Sequence, residues 1–546
     1  MNRQDRIAPG PADRDPPGYV SRGRVMTPQD QWWRESDSYV SDILSVFAAA
    51  PDRPAIFWRG RAFSGGELIR STTEIFHALR DRGVGEEDVV AILVAPNSPE
   101  MLTARYAAHL LGSTVCYLRS TNPGTSSTIL PLDHQIQILR DTAASTVYAD
   151  AENAQRALEL SEGIGGLPVT RVDGTGHDAA SRADAPQAAP WDPSTVGVIG
   201  FTSGSTGRPK GIRLSGQVWN GGVRGMVAAD RAAEDVRLLV TTPLSHTVGT
   251  MADAALALGG EVHLHEHFDA GQFTKTVEES AISWTFMATV QLFQLLDHLE
   301  ELGAHDLESA GLSSLKRLIY SGSAAAPARI AQAVRILGLI LVQAYGTSES
   351  GRITSLKREE HLDPWLSTTV GRPFGEVEVV VGDLVSGAPV PTGEVGQVRV
   401  RSPHLMDGYT GDPELTAQVL RDGWYYTGDI GYCDEKGYLH LLGRVAEVVK
   451  VDGVKVHPLV VEREILSLPG IRHAAVYGVQ DRDGSEHIHA ALVCDPAAEV
   501  ETESIRTHIA ESLSVLHAPE KITILSALPL NDNGKPDKLR LRLLEA

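Results

Sequence analysis

The sequence contains one stretch whose residue types suit the binding of a polyphosphate. Residues 201–211 read FTSGSTGRPKG and follow the apolar run of residues 196–199. Glycines let backbone amides approach an anion closely, because they carry no side chain. Lys210 adds a positive charge, and four hydroxyl groups add hydrogen-bond donors, on Thr202, Ser203, Ser205 and Thr206. This pattern predicts a strand followed by a phosphate-binding loop.

The spacing within this stretch excludes two common phosphate loops. A Walker A loop has a second glycine five residues after the first, whereas Pro209 lies five residues after Gly204. The GxGxxG pattern of dinucleotide-binding proteins is also absent, so a kinase or a dehydrogenase loses its main support. On composition alone, a flexible surface loop rich in glycine and serine is the alternative.

Alternating strand and helix patterns surround this loop. Residues 89–94 form an apolar run typical of a strand, and residues 66–79 have helical periodicity. The alternation runs from Trp32 to about residue 150 and resumes at Val196, which predicts β/α units and a largely parallel sheet. Residues 162–193 are rich in Gly, Ala, Asp and Pro and are predicted to form a surface excursion or linker.

The pattern changes twice towards the C-terminus. From about Val377, short alternating segments punctuated by Gly and Pro predict an all-β subdomain. After Gly443, a compact β/α pattern predicts a separate small domain with a strand at 448–451, a helix at 458–466 and a strand at 474–479.

Composition limits the class of protein. The chain has 546 residues, with 49 basic and 70 acidic side chains and a formal charge of −21. At roughly 150 residues per domain this predicts three or four compact units. The acidic balance argues against non-specific binding to nucleic acid or to anionic lipid, and no apolar run approaches the roughly 18 residues of a membrane span.

The termini and cysteines point to a cytoplasmic enzyme. Residues 1–31 contain five prolines and no apolar core, which predicts a flexible tail rather than a secretory signal. The three cysteines include no CxxC pair, so neither a disulfide framework nor a thiolate metal site is expected. A reducing compartment fits this pattern.

Residues 201–211 resemble the signature of the adenylate-forming superfamily, which includes acyl- and aryl-CoA synthetases, peptide-synthetase adenylation domains and beetle luciferase. The resemblance implies an α/β fold with a large N-terminal domain of β/α sheets, a β-rich subdomain and a small mobile C-terminal α+β domain. The boundaries expected here are a tail at 1–31, the large domain at 32–443 and the small domain at 444–546. The resemblance also implies that Lys210 acts in catalysis, that Thr206 binds Mg²⁺, and that the nucleotide contacts the loop residues Thr202, Ser203, Gly204, Ser205, Thr206 and Gly207.

Two further segments match motifs of this superfamily in the expected order. Residues 243–249, PLSHTVG, resemble the PLxHxxG segment, in which the histidine, here His246, borders the acyl pocket and takes part in catalysis. Residues 345–349, YGTSE, resemble YGxTE with serine in place of the usual threonine. The resemblance implies that Tyr345 stacks on adenine, that Ser348 meets the α-phosphate and that Glu349 holds Mg²⁺.

The remaining motifs lie towards the C-terminus. Gly408-Tyr409 and residues 422–429 resemble GY…DGWxxTGD, whose last aspartate, Asp429, would accept the ribose hydroxyls. Arg444 would supply the second ribose contact. The resemblance further implies that Lys450 and Gly453 face the active site after domain rotation, with Gly453 lining the pantetheine tunnel, and that Lys535 of the segment Asn533-Gly534-Lys535 is the catalytic lysine.

The first half-reaction of this superfamily joins a carboxylate to the α-phosphorus of ATP. A general base is not required, since an acid of pKa near 4 is ionised at neutral pH. Two anions must approach each other, so catalysis depends on charge neutralisation and positioning. Lys210, Mg²⁺ on Glu349, and Lys535 meet this need.

The second half-reaction transfers the acyl group to a thiol, normally that of coenzyme A or of a carrier's phosphopantetheine. In the superfamily the small domain then rotates about a hinge two residues after the arginine equivalent to Arg444. The hinge residue is usually Asp or Lys, but here it is Ala446, and the acidic residue follows as Glu447. We expect Ala446 to act as the pivot.

In members of the superfamily that activate amino acids, an aspartate of an FDxS segment binds the α-amino group. The corresponding segment here is PLSHTVG and lacks that aspartate, so the resemblance disfavours an amino acid as substrate. The segments that form the acyl pocket in the superfamily carry small residues here, at Gly249, Ala288, Ser321, Gly322 and Ala344, so the resemblance favours an aromatic, branched or polycyclic acid. The predicted substrate contacts are His246, Gly249, Ala288, Ser321, Gly322 and Thr347, and further nucleotide contacts are predicted at Ser323, Ala324, Ala344 and Gly346.

His263, His265 and His267 alternate and could project from one face of a strand, a geometry that can bind zinc. No fourth ligand is evident, and HExxH fails because Asp269 replaces the second histidine. We interpret the three histidines as part of a solvated edge strand.

Three functions are compatible with these motifs. The first is a ligase that joins a carboxylic acid to coenzyme A. The second is an enzyme that stops at acyl-AMP or passes it to a separate ligase or carrier protein. The third, a non-catalytic nucleotide-binding protein, is disfavoured by the presence of Lys210, Glu349, Asp429, Arg444 and Lys535.

Overall fold

The structure of the chain is a computed structural model. It describes residues 31–118, 130–172, 186–202, 210–323, 325–481, 483–495, 498–530 and 536–544, and of Thr202 only the backbone. The predicted tail lies outside these ranges except for Gln31.

The first part of the chain alternates helices with strands, as predicted. Its helices are α1 (Tyr39–Ala49), α2 (Gly65–Arg80), α3 (Pro99–Leu110), α4 (Leu132–Asp141) and α5 (Ala154–Gly163). Its strands are β1 (Pro54–Trp58), β2 (Arg61–Ser64), β3 (Val89–Leu93), β4 (Thr114–Tyr117), β5 (Thr146–Ala149) and β6 (Val169–Thr170).

The alternation continues from Val196. The strands here are β7 (Val196–Thr202), β8 (Lys210–Ser215), β9 (Arg237–Val240), β10 (Glu261–Leu264), β11 (Trp284–Ala288), β12 (Arg317–Ser321), β13 (Leu341–Thr347), β14 (Gly351–Leu356) and β15 (Arg372–Pro373). The helices are α6 (Gly216–Ala229), α7 (Thr247–Ala257), α8 (Ala270–Ser280), α9 (Thr289–Glu301) and α10 (Pro327–Leu337).

The C-terminal part contains shorter elements. Strands β16 (Glu378–Gly382), β17 (Gly396–Arg401), β18 (Gly408–Tyr409), β19 (Leu420–Arg421), β20 (Trp424–Cys433) and β21 (Leu439–Arg444) surround helix α11 (Pro413–Val419). They are followed by β22 (Val449–Val451), β23 (Val454–Val456), α12 (Pro458–Leu466), β24 (Ile471–Gln480), β25 (Glu486–Cys494), α13 (Thr502–Ser512), β26 (Lys521–Ile524) and α14 (Lys538–Leu543).

Two large sheets form the N-terminal region. One has nine strands in the order β15-β14-β13-β12-β11-β9-β10-β1-β2, and the other has seven in the order β18-β8-β7-β4-β3-β5-β6. The strands joined by helical crossovers pair in parallel, for example β3 with β4 and β11 with β12. The predicted β/α units and the largely parallel pairing are therefore confirmed.

The largest buried cluster lies between these sheets. Side chains of α1, α2, α3 and α7 share it with strand residues of both sheets, such as Ile92 of β3 and Val262 of β10. Burial of this apolar surface is the main favourable contribution to folding of the region. The positions of α7 and its preceding loop therefore depend on both sheets.

Local capping explains where α2 begins. The Ser64 hydroxyl accepts a hydrogen bond from the backbone N–H of Glu67, and the Glu67 carboxylate accepts one from the backbone N–H of Ser64. This capping box satisfies amides that lack helical partners. The helix consequently begins at Gly65, one residue before the predicted start.

Three segments differ from the sequence expectations. Within the predicted excursion at 162–193, β6 pairs with β5 and extends the seven-stranded sheet. The predicted all-β subdomain includes the helix α11. Its strand β18 pairs with β8 of the seven-stranded sheet, whereas β16, β17, β19, β20 and β21 form a sheet of their own.

The last hundred residues contain the predicted β/α pattern. Helix α12 spans the predicted residues, with Pro458 in its first turn, where the missing N–H of proline leaves no helical bond unmade. Strands β24, β25 and β26 form a three-stranded sheet, and β22 pairs with β23. In the described part of the chain, no helix has the length and apolar character needed to cross a membrane.

Candidate active site

The predicted phosphate loop connects two antiparallel strands. Thr202 at the end of β7 is in register with Lys210 at the start of β8. The loop residues Ser203, Gly204, Ser205, Thr206 and Gly207 lie outside the described residues, as does the side chain of Thr202. The predicted strand before the loop is present as β7, and Lys210 is the first residue of β8.

A tyrosine contacts two of the predicted catalytic residues. Tyr409 donates a hydrogen bond of 2.9 Å from its phenol to Oε1 of Glu349. Nζ of Lys210 lies 5.7 Å from the centre of the same ring, within cation–π range. Burial and the neighbouring Glu349 carboxylate raise the pKa of the Tyr409 phenol, so it remains protonated and able to donate.

The predicted adenine and ribose residues also lie together. Tyr345 of β13 donates a 2.5 Å hydrogen bond to Oδ2 of Asp429, and Nε of Arg444 donates to Oδ1 of Asp429 at 3.1 Å. Asp429 of β20 is directly opposite Arg444 of β21. Burial, together with the Asp429 carboxylate, raises the pKa of the Tyr345 phenol well above its ordinary value. Asp429 therefore joins the two residues assigned to the nucleoside.

The YGxTE-like segment ends β13 and turns into β14. Thr347 accepts a hydrogen bond from the backbone N–H of Ser350 at 3.1 Å, which closes the turn that contains Ser348 and Glu349. Glu349 is fixed from the other side, since its carbonyl accepts the backbone N–H of Met406 at 2.7 Å. The turn thus holds Glu349 close to Tyr409.

Three adjacent strands bring most predicted pocket residues to one sheet edge. Ala288 ends β11 and is in register with Ser321 at the end of β12, and the next strand, β13, carries Ala344, Gly346 and Thr347. Ligands of parallel sheets bind at the carboxyl ends of the strands. The hydroxyl of Thr289 donates to the carbonyls of Ser321 and Ser323 at 3.1 Å each.

Gly322 lies in the same turn and has a φ of +101°, with no atom within 4 Å of a Cβ placed there. A larger residue would be strained in this backbone conformation, although space is available. Ala324 lies outside the described residues.

His246 precedes helix α7 and is held by its own neighbours. Its Nδ1 is 2.9 Å from Oγ of Ser245, and its carbonyl accepts the backbone N–H of Gly249 at 2.8 Å. Burial lowers the pKa of His246 to about 4, so the imidazole is neutral at pH 7. Gly249 is sterically required, because a Cβ there would lie 2.1 Å from the carbonyl oxygen of Leu244.

Sequence reasoning missed the residue that holds this segment. Asn97 is buried, and its Nδ2 donates to the carbonyls of Thr242 and His265 at 3.1 and 2.8 Å. Its Oδ1 accepts the backbone N–H of Leu244 at 3.0 Å. Asn97 has a φ of +47°, a conformation that asparagine adopts more readily than most residues. An asparagine three residues after the apolar run 89–94 was the available signal.

A fully buried ion pair anchors helix α7, which follows His246. Asp253 of α7 accepts hydrogen bonds from Arg105 of α3 at 2.6 and 2.7 Å, and both side chains are 0% exposed. Asp253 also accepts from Tyr106 at 2.6 Å and from Nε1 of Trp219 at 2.9 Å. The ring of Trp219 lies 3.2 Å from the position of a Cβ on Gly249.

The C-terminal candidates lie on a hairpin and outside the described residues. Lys450 of β22 is exposed, and its backbone N–H donates to Glu486 of β25. Gly453 occupies the turn between β22 and β23 with a φ of +83°. Lys535 itself is not described, but the residues on either side of its segment, Leu530 and Pro536, form a β-bridge.

The interpretation of the alternating histidines as a solvated edge strand is wrong for His263 and His265, whereas His267 is exposed. Strand β10 pairs with β9 on one side and β1 on the other. His263 and His265 are buried, His263 stacks on Phe57 with ring centres 4.2 Å apart, and Nε2 of His265 is 3.1 Å from Thr276 of α8. Among the described residues, no cluster of His, Cys, Asp and Glu could hold a metal ion.

The chain is similar to known protein families and proteins over most of its length. The AMP-binding enzyme family matches residues 45–410, and the AMP-binding enzyme C-terminal domain matches residues 460–535. A feruloyl-CoA synthase from Amycolatopsis sp is 32% identical, over 89% of this chain and 94% of that protein. The medium/long-chain-fatty-acid–CoA ligase FadD8 from Mycobacterium tuberculosis is 29% identical, over 92% and 89%.

Among solved structures, the amide bond synthetase McbA from Marinactinospora thermotolerans is similar with a TM-score of 0.81 at 31% identity, covering 93% of this chain and 99% of that one. The matches to the family and to its members extend over most of the chain. This chain therefore belongs to the AMP-binding enzyme family, the adenylate-forming superfamily that its motifs indicate.

Proposed function

We propose that this protein activates a carboxylic acid with ATP and Mg²⁺, releases pyrophosphate, and transfers the acyl group from the acyl-adenylate to the thiol of coenzyme A. The observation that carries the proposal is that residues from distant segments meet: Lys210 and Glu349 both lie at Tyr409, and Tyr345 and Arg444 both contact Asp429. The short segment of residues 345–349 contributes to both groups. The names of the feruloyl-CoA synthase and FadD8 support coenzyme A as the acceptor.

Charge neutralisation is the main task of the residues at the phosphates. The acid reaches the site already ionised, so its oxygen can attack the α-phosphorus without a general base. We assign Lys210 to the phosphates and Lys535 to the bridge between the acyl carboxylate and the α-phosphate. Loss of the Lys535 charge would remove about 3–4 kcal/mol of transition-state stabilisation.

The residues present fit a magnesium ion that is bound together with ATP. Glu349 offers a carboxylate whose Oε1 is already fixed by Tyr409. Mg²⁺ in nucleotide sites needs only one or two carboxylate or hydroxyl ligands from the protein, because phosphates and water supply the rest. We therefore assign Glu349 and Thr206 as its protein ligands, and the ion would supply charge neutralisation at the phosphates.

No bond of the nucleoside part of ATP changes in the reaction, so the residues around it only need to position it. Asp429 is held by Tyr345 and Arg444, and a carboxylate in this position can accept hydrogen bonds from both ribose hydroxyls. We assign the ribose to Asp429 and Arg444 and the adenine to the ring of Tyr345. We also assign Ser323, Ala324, Ala344 and Gly346 to the nucleotide site.

For the acid, we propose an aromatic, branched or polycyclic compound. Gly322 has open space beside it. Gly249 and Ala288 add little volume, and the neutral His246 gives the pocket wall a polar atom without a charge. The feruloyl substrate in the name of the Amycolatopsis relative supports an aromatic acid.

The direct test is a panel of acids with ATP and Mg²⁺, assayed with and without coenzyme A. The panel contains ferulic, indoleacetic, benzoic, decanoic and a polycyclic carboxylic acid, and mass spectrometry measures AMP, acyl-AMP and acyl-CoA. We expect acyl-CoA from at least one bulky acid. In Lys535→Ala, adenylation should fall by roughly 10² to 10³.

Other outcomes would redirect the proposal. If acyl-AMP accumulates despite coenzyme A, adenylation is the whole reaction with that thiol. An amine or the phosphopantetheine of a carrier protein would then be tried as acceptor, and the similarity to the amide bond synthetase makes the amine the first choice. If no acid releases pyrophosphate, the proposal is wrong.

We place this reaction in the cytoplasm, where ATP and coenzyme A are both available. All three cysteines are free, which supports a reducing compartment.

A further inference from the structure

The segment between Arg444 and Glu447 links the nucleotide site to the C-terminal domain. On its N-terminal side, Arg444 ends β21 and is tied to Asp429 by the 3.1 Å ion pair described above. This contact, together with the β20–β21 pairing, fixes Arg444 to the large N-terminal region.

On the other side, Glu447 is held by the C-terminal domain. Nζ of Lys538 lies 2.8 Å from Oε2 of Glu447 and 3.0 Å from Oε1 of Glu462. Glu462 belongs to α12 and also accepts the backbone N–H of Val476 of β24 at 2.8 Å. Lys538 begins α14, so one ammonium group joins the linker to two elements of the C-terminal fold.

The surroundings make this contact stronger than an exposed ion pair. The side chains of Lys538 and Glu462 are only 21% and 14% exposed, and that of Glu447 is 39% exposed. Burial alone would lower the pKa of Lys538, but attraction to Glu462 and Glu447 outweighs it and raises the pKa above its ordinary value. The lysine is therefore charged at neutral pH and can hold both carboxylates.

Between these two anchors lie only Val445 and Ala446. Val445 is 44% exposed, Ala446 is exposed, and the short 3-10 turn that contains them has no side-chain cap. A rotation between two packed bodies is absorbed by the few linker residues that neither body holds. The anchors leave these two residues for that role.

We propose that Lys538 is a positioning residue of the domain hinge, which holds Glu447 on the C-terminal domain and so confines the rotation to Val445 and Ala446. The inference rests on the proposed function, in which the C-terminal domain serves two half-reactions in two orientations. It explains how a chain with alanine at the hinge keeps a defined pivot: the acidic residue that follows acts as an anchor.

The test compares Lys538→Met, Lys538→Arg and Glu447→Gln with the full-length wild-type protein. The first readout is the rate of limited trypsin cleavage after Arg444, identified by fragment mass, because a protease needs a locally extended chain. We expect cleavage to be several-fold faster in Lys538→Met and Glu447→Gln. Lys538→Arg should restore the wild-type rate.

The second readout separates the two half-reactions. Acid-dependent pyrophosphate exchange measures adenylation, and single-turnover transfer from preformed acyl-AMP to coenzyme A measures the second step. We expect transfer to fall about tenfold more than exchange in Glu447→Gln, because the domain must rotate between the two steps. A loss of general stability would lower both steps together.

Two further variants serve as controls. Glu462→Gln weakens the contact within the C-terminal domain but keeps Glu447 on Lys538, so its cleavage after Arg444 should stay close to wild type. Lys275→Met removes a lysine on α8 whose side chain is 70% exposed and should change neither readout.

Wild-type cleavage rates in both Lys538→Met and Glu447→Gln would overturn the proposal, as would an equal fall of both half-reactions in Glu447→Gln. If Lys538→Met does not fold, Glu447→Gln alone decides. Failure of the proposed function would be recognised separately, because the wild-type protein would then show no pyrophosphate exchange with any acid. The proteolysis experiment would still show whether Lys538 holds Glu447 on the C-terminal domain.

Discussion

The phenol of Tyr409 donates a 2.9 Å hydrogen bond to Glu349, and the ring of the same residue lies beside the ammonium group of Lys210. Tyr409 belongs to β18, which is paired with β8, the strand that Lys210 begins. The tyrosine is therefore fixed relative to the lysine by backbone pairing and relative to the glutamate by its side chain. One ring positions both the cation and the carboxylate that we assign to the phosphates of ATP.

Tyr409→Phe should weaken the use of Mg²⁺ by the enzyme. The substitution keeps the ring beside Lys210 but removes the hydrogen bond that orients Glu349. A hydrogen bond to a charged group contributes about 1.5–3 kcal/mol, so we expect a rise of roughly tenfold or more in the Mg²⁺ concentration needed for half-maximal pyrophosphate exchange. In the presence of ATP, Mg²⁺ should raise the Tm of the protein, and Tyr409→Phe should need a correspondingly higher Mg²⁺ concentration for the same rise.

Tyr426→Phe is the matched control for that experiment, because its phenol contacts Arg399 and not Glu349. Equal Mg²⁺ requirements for Tyr409→Phe and the wild type would show that Glu349 is oriented without the phenol.

The buried pair of Arg105 and Asp253 predicts a large effect on stability. Asp253→Asn leaves the guanidinium of Arg105 without a counter-charge at a site with no solvent exposure. Breaking such a pair costs about 3–5 kcal/mol, so we expect the free energy of unfolding of the N-terminal region to fall by that amount in urea titrations.

The exposed pair of Arg224 and Asp42 provides the comparison. Its N–O distance is 2.8 Å, but the two side chains are 36% and 46% exposed. Asp42→Asn should cost less than about 1 kcal/mol, because solvent screens the charges. Similar decreases in the free energy of unfolding for Asp42→Asn and Asp253→Asn would show that the buried pair contributes no more to stability than the exposed one.

Local sequence patterns predicted the elements better than the contacts between them. Helix α12 spans the predicted residues 458–466, because a proline at its start and apolar residues at helical spacing are local signals. The motif residues Tyr345, Asp429 and Arg444 were also predicted, and the structure brings them together.

The residues that sequence reasoning missed act across long separations. Asn97 bonds Thr242 and His265, which are 145 and 168 residues away, and Arg105 bonds Asp253 at a separation of 148. No periodicity or short motif encodes such pairs. The prediction for His263 and His265 failed for a related reason. Alternation of polar residues indicates a solvated face, but β10, which contains His263, is paired on both sides, and His265 packs against Thr276 of α8.

Four histidines, of which three are buried and His246 is half-buried, predict loss of stability in mild acid. Burial, aided by Arg105, lowers the pKa of His109 to about 3, and burial lowers the pKa of His246, His263 and His265 to about 4. In the unfolded chain these groups titrate near pH 6.5. Below that pH the unfolded state binds more protons, so stability is retained above pH 6.5 and falls as the pH approaches 4, by up to about 1.4 kcal/mol per pH unit for each histidine.

Urea titrations between pH 5 and 7 measure this slope, in a range where most carboxylates remain ionised. His263→Phe should reduce the slope by about one proton, because a phenyl ring can stack on Phe57 without titrating. An unchanged slope in His263→Phe would mean that this histidine is already protonated in the folded protein.

Asn97→Asp should displace the loop that carries His246 while leaving the nucleotide site intact. The substitution keeps the size of the side chain and the acceptor for the Leu244 amide, but it replaces the Nδ2 donor with an oxygen that faces the carbonyls of Thr242 and His265. Oxygen atoms in such contact repel each other, and an unpaired buried polar group costs about 1–3 kcal/mol. We expect KM for the acid to rise roughly tenfold and KM for ATP to change little, because Tyr345 and Asp429 lie on other elements.

Asn220→Asp is the matched control, since the Oδ1 of Asn220 accepts the backbone N–H of Tyr39 at 2.8 Å and aspartate preserves this bond. Asn97→Gly separates the two roles of Asn97, because glycine tolerates the φ of +47° but makes none of the side-chain bonds. If Asn97→Gly behaves like the wild type, backbone conformation alone positions His246. If KM for ATP rises with KM for the acid in Asn97→Asp, the loop supports both sites and the proposed division of roles is wrong.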